Sequence, residues 1–142
     1  MSIVYPSPYL VITGMTYLLP AWLAYEKGFH YSLVSSLCLT ATTMLYHWFH
    51  YDYLLVLDTL AVANYCVCSL YNIYHAGPAA VGVWGLSVGY TAYVYFIGNH
   101  LSILAWDPHW PTRMFFHGLI HFSTAYTAWY CFTHRQSPTP LG

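Results

Sequence analysis

The chain has 142 residues, of which three are Lys or Arg, four are Asp or Glu, and 58% are apolar. Charged side chains make up 5%, against roughly 25% in soluble domains, too few to clothe a water-facing globule of this size. With a formal net charge of −1, this composition excludes an ordinary soluble enzyme and a basic nucleic-acid-binding module. It predicts an all-α, multi-pass integral membrane protein built as a single domain over 1–142.

Taken in order, the apolar runs predict five helices. The N-terminal stretch has no basic n-region, and a long apolar run follows it, so a cleaved signal peptide is not expected and the first helix is retained. That helix is predicted over 8–25, with a kink at Pro20 and a stop at Glu26-Lys27-Gly28. The second is predicted over 29–50 and the third over 53–74, separated by the polar break His50-Tyr51-Asp52. His75-Ala76-Gly77-Pro78 carries turn chemistry. The run 79–106 is longer than one crossing needs but too short for two with a loop. Asp107-Pro108-His109-Trp110-Pro111 reads as a loop, Thr112 as a cap, and 112–132 as the last helix. The remainder, 133–142, is expected to be a flexible polar tail.

Polar residues inside these runs are costly in lipid and so mark function. Thr43 and His47 are four apart, one turn from each other on one helix face, and so are His117 and His121. Asp58 follows His47 by eleven residues, across the polar break. If that break is a tight turn, His47 and Asp58 lie at similar depth on adjacent antiparallel helices. His117 joins them only if 79–106 crosses once, because two crossings would start the last helix on the other side. A five-helix bundle is therefore the expected architecture. Lys27 and Arg135 then fall opposite the histidine end and Arg113 beside it, which orients that end away from the cytoplasm.

Three imidazoles at one depth suit a zinc ion: three protein ligands leave a coordination position for water, whose pKa zinc lowers to about 7. Asp58 can take that water's proton, and Thr43 can hold Asp58 or polarise a substrate oxygen. His50, one turn from His47, is the reserve ligand, and Asp52 is expected to be solvated in the turn. His30, His75, His109 and His134, near helix ends or in loops, read as packing or surface groups, with His100 more open. Cys38, Cys66, Cys68 and Cys131 all lie in apolar runs as small core or lipid-facing residues. The glycines Gly82, Gly85 and Gly89 suit close helix packing, and Trp22, Trp48, Trp106, Trp110 and Trp129 fall near helix ends, where the membrane interface favours them.

Thr43-x3-His47, then Asp58, then His117-x3-His121 resembles the signature of the CREST superfamily, which includes the alkaline ceramidases and the progestin/adipoQ receptors. Leu19-Pro20, Phe29-His30 and His47 are similar to the myomaker-like branch of that superfamily. Two departures stand out. The superfamily has seven helices, so this chain is a reduced form, and Thr43 stands where serine is usual. The resemblance implies zinc held by His47, His117 and His121, with Asp58 and Thr43 around its water. It also implies a membrane-embedded hydrolase cleaving an amide or ester bond of a membrane lipid substrate. Two other readings remain open: a haem b electron-transfer subunit with two of the histidines as axial ligands, and a non-catalytic membrane scaffold or fusion protein with a structural zinc.

Overall fold

The computed structural model describes residues 7–135. Within them the chain is all-helical, with no strand. The first run, α1, is α-helical over Pro8–Gly14, tightens to a 3₁₀ turn over Met15–Tyr17, and is α-helical again over Leu18–Glu26. Pro20 explains the interruption. It has no N–H to offer the carbonyl of Thr16, and its ring crowds that carbonyl, so the turn just before it winds differently. At the N-terminus, the Ser7 side chain accepts from the amide of Leu10, with Pro8 opening the first turn.

Helix α2 spans His30–Phe49 and α3 spans Asp52–Ala76. The connection between them is only two residues. His50 takes left-handed dihedrals (φ 53°) to end α2, and extended Tyr51 starts α3 with Asp52 in its first turn, where the helix dipole favours an acid. Gly77, at φ 90°, forms the whole turn to α4, and Pro78 opens that helix. Helix α4 runs continuously over Pro78–Leu101, with π-helical turns over Tyr93–Gly98. A left-handed Ser102 ends it, and a short 3₁₀ turn over Leu104–Trp106 leads to α5, Trp110–His134. The run 79–106 is thus one helix plus a short connection, so α5 begins at the end of the bundle where α2 finishes.

Two sequence expectations change at α5. Its cap position is His109, while Thr112 lies inside the first turn with its hydroxyl on His109 Nδ1 at 2.9 Å. The helix also continues through Thr133 and His134, which the sequence assigned to the polar tail. Helical bonding holds them: the Thr133 hydroxyl donates to the Trp129 carbonyl at 2.8 Å, and the Thr133 carbonyl accepts from Lys27 Nζ at 2.8 Å. The rest of the expected tail, 136–142, lies outside the described residues.

The core lies where α1, α2, α3 and α5 meet, around Tyr17, Phe29, Leu39, Tyr65, Ala128 and Phe132. Hydrogen bonds join α2 to α3 at three levels. Thr42 and Thr43 reach Asp58, Ser35 accepts from Asn64 at 2.9 Å, and Ser32 accepts from Asn72 at 3.0 Å. These side chains give α2 its many hydroxyls: Ser32, Ser35, Ser36, Thr40 and Thr43 are all buried, facing neighbouring helices. Two helices, Asp52–Ala76 and Pro78–Leu101, are long and apolar enough to cross a membrane.

Candidate metal centre

The last turn of α2 carries His47, and the third and fourth turns of α5 carry His117 and His121. One potential ligand nitrogen from each ring lies within 4.8 Å of the other two. The ring centroids are 5.0 Å apart for His47 and His117, 5.3 Å for His47 and His121, and 5.2 Å for His117 and His121. His47 and His121 are buried, at 3% and 6% exposure, and His117 is partly buried.

Residues of α1 hold this arrangement from a third side. The amide of Ser7 donates to the His47 carbonyl at 2.9 Å, tying the start of α1 to the end of α2. Thr13 Oγ1 lies 2.8 Å from His121 Nδ1. Gly118, between the two α5 histidines, lets the Tyr9 ring lie on the helix: a Cβ there would stand 2.7 Å from the Tyr9 hydroxyl. Gly14 meets α2 in the same way, since a Cβ there would lie 3.0 Å from Thr43 Cγ2.

Asp58 is attached to α2 just below His47. Its Oδ1 accepts from Thr43 at 2.7 Å and from Thr42 at 3.0 Å. Asp58 is not one of the groups whose ligand atoms converge. It is a carboxylate oriented by two hydroxyls of α2, one of them a helical turn from His47. Of the residues singled out in the sequence, the structure therefore joins His47, His117 and His121 in one cluster and pairs Thr43 with Asp58. His50 lies 6.3 Å from His47 between ring centroids, outside the converging set. His30, His75, His109 and His134 also lie outside it.

Sequence reasoning missed Thr42, Thr13 and Ser7. A partner signal for Thr42 was present, because a hydroxyl adjacent to Thr43 can reach the same carboxylate. Thr13 is 108 residues from His121 and sits alone in an apolar run, so no local spacing marks it.

The donor set fits a small divalent ion. Nδ1 of His47 is buried with no hydrogen-bond partner among the described residues, an uncompensated polar atom of the kind a ligand satisfies. A tetrahedral ion with Zn–N bonds of about 2.0–2.1 Å brings its ligand atoms roughly 3.3–3.4 Å apart. The ligand atoms here already lie within 4.8 Å of one another. Comparison of the chain with protein-family models, with curated proteins and with solved structures gives no match.

Proposed function

We propose that this chain is a five-helix membrane protein that holds zinc between His47, His117 and His121 and hydrolyses an amide or ester bond of a membrane lipid. The observation that carries the reading is the convergence of three imidazoles from two helices, one of which has a buried, unpartnered Nδ1. The resemblance to the CREST superfamily, resting on Thr43, His47, Asp58, His117 and His121, points the same way. A haem would need a slot between two imidazoles wide enough for a porphyrin, whereas here all three rings already contact one another at tilted or edge-on angles.

The membrane setting draws support from the outer surface. Large apolar side chains point outward along α3 and α4, with Leu60 62% exposed, Leu86 79% and Phe96 76%. Patches of this extent are rare on water-soluble monomers. Helices α2 and α5 are more polar by composition, but the polarity of α2 is turned inward, so its lipid-facing side is apolar too. Five crossings place Lys27 and Arg135 at one end and the histidines at the other.

When bound, zinc supplies a Lewis acid and an acidified water. The residues of the chain do the rest. The three imidazoles would hold the ion through one nitrogen each. Asp58 accepts the proton that the attacking water loses and returns it to the leaving amine or alcohol. Thr42 and Thr43 aim the carboxylate by holding one of its two oxygens.

The test combines metal analysis of the purified full-length protein in detergent with turnover of a panel of ceramide-like amides and lipid esters. One zinc per chain with zinc-dependent hydrolysis is the expected result. Zinc without turnover of any lipid would remove the hydrolase and leave a scaffold, and absence of stoichiometric zinc would remove both.

A further inference from the structure

The contact between Thr13 and His121 has consequences for which nitrogen of His121 can bind a metal. Thr13 is 2% exposed and sits on α1, an element that contributes no ligand. Its Oγ1 makes two contacts: 2.8 Å to His121 Nδ1 and 3.1 Å to the carbonyl oxygen of Leu10. A hydroxyl has one proton, and a carbonyl oxygen can only accept. If the proton goes to Leu10, Oγ1 is an acceptor toward His121, and Nδ1 must carry the imidazole proton. If it goes instead to Nδ1, the hydroxyl and the Leu10 carbonyl face each other with lone pairs only, inside a buried helix contact. One tautomer satisfies both contacts, and the other satisfies one.

We infer that Thr13 is a positioning residue that holds His121 as the Nδ1-protonated tautomer, leaving the Nε2 lone pair as its ligand atom. The inference rests on the zinc reading for its purpose, though the tautomer itself is a property of the metal-free chain. Ligand histidines usually donate their second N–H to a carboxylate, a backbone carbonyl or water. Here the acceptor is a threonine hydroxyl, which in turn donates to the Leu10 carbonyl of α1. Helix α1 thereby orients a ligand on α5 while its Ser7 amide holds the backbone of the ligand-bearing turn of α2. Three helices then determine a site to which only two supply ligands.

The test uses the full-length chain with Thr13→Val, which keeps the shape and removes the acceptor, and Thr13→Ser, which keeps the hydroxyl. Zinc affinity measured by competition with a chelator should fall about 10–100-fold in Thr13→Val, the usual cost of losing such a partner. It should stay within a few-fold of wild type in Thr13→Ser. Nitrogen NMR of histidine-labelled, metal-free protein, with the signal assigned by its loss in His121→Ala, should show His121 protonated at Nδ1 in wild type and Thr13→Ser. Helical circular dichroism checks that each variant folds. A metal-free wild type protonated at Nε2 would overturn the inference, and so would a folded Thr13→Val that binds zinc as tightly as wild type. If wild type binds no zinc the proposed function fails, and the NMR result alone then decides the role of Thr13.

Discussion

The bundle has a buried polar cluster at each end, and only one of them is complete. At the end away from the histidines, Asn72 is fully buried, and its amide nitrogen donates to the Ser32 hydroxyl at 3.0 Å and the Cys68 carbonyl at 2.6 Å. Its carbonyl oxygen accepts from Arg135, whose guanidinium also lies 4.2 Å from the Phe29 ring centroid and 4.9 Å from that of Tyr71. Donors and acceptors there answer one another, as a structural cluster must if it is to repay desolvation. At the other end three imidazoles face each other, and Nδ1 of His47 has no partner among the described residues. A cluster that closes on itself ties helices together, whereas one with an unpaired buried nitrogen still has a lone pair or proton to offer a ligand.

Removing a ligand tests that contrast most severely. His47→Ala, His117→Ala and His121→Ala should each lose most of the zinc, while His134→Ala, whose ring stacks on Tyr130 at the closed end, should keep it. Metal analysis of the four purified variants decides this. Full zinc occupancy in all three ligand variants would end the metal assignment. Asp58→Asn should separate binding from chemistry. It preserves size and can still accept from Thr43, but it cannot take a proton, so zinc should remain while lipid hydrolysis falls by roughly 10²–10⁴-fold. A variant as active as wild type would show that Asp58 is not the base.

The closed end should behave in the opposite way. Asn72→Ala leaves the Arg135 guanidinium without its acceptor and removes the donor that Ser32 accepts, a loss of about 1–3 kcal/mol for buried groups left unsatisfied. Thermal unfolding should register that loss, with zinc content unchanged. A drop in zinc in folded Asn72→Ala would mean that the two ends are coupled and that the contrast between them is false.

How much of this was legible in the sequence follows from the range of each interaction. Apolar run lengths located four of the five helices to within a few residues, because the runs are long and Gly77-Pro78 and His50-Tyr51-Asp52 interrupt them sharply. The run 79–106 was left open by its length, and only the requirement that His117 meet His47 made it one helix. The pairs Thr43 with His47 and His117 with His121 were legible because spacing by four is a property of the helix itself. The turn after His47 limited where Asp58 could lie, since two antiparallel helices joined by two residues have little freedom of register. The sequence nevertheless put Asp58 level with His47, whereas its carboxylate bonds Thr43, one turn earlier. Thr13 and Ser7 were not legible. They reach the site only because α1 crosses both α2 and α5, and a crossing depends on which small residues allow close approach. The extent of α5 was misjudged because Thr133 and His134 look polar in isolation, whereas their hydrogen bonds return to Trp129 and Tyr130 one turn earlier.

The smallest effect we expect concerns Gly14 and Thr43, and it asks whether the open end is packed as tightly as the closed one. The Thr43 methyl occupies the space over Gly14, so a Cβ at residue 14 would stand 3.0 Å from Cγ2. Gly14→Ala sets two effects against each other. A helix gains roughly 0.8–1.0 kcal/mol on replacing glycine by alanine, while forcing a methyl into a packed contact costs about 1–3 kcal/mol. The clash should win by about 1 kcal/mol, because Thr43 is held by its bond to Asp58 and yields little. Thr43→Ser keeps the hydroxyl and removes the methyl, losing about 0.8 kcal/mol of burial. In the double variant the new Cβ fills the space the methyl leaves, so the two losses should not add, and a coupling of about 1 kcal/mol should appear in a double-mutant cycle on thermal stability. Zinc binding should be intact throughout, since none of the changes touches a ligand. Strict additivity would mean that Gly14 and Thr43 do not share this space, and that threonine stands at 43 for some reason other than its fit against α1.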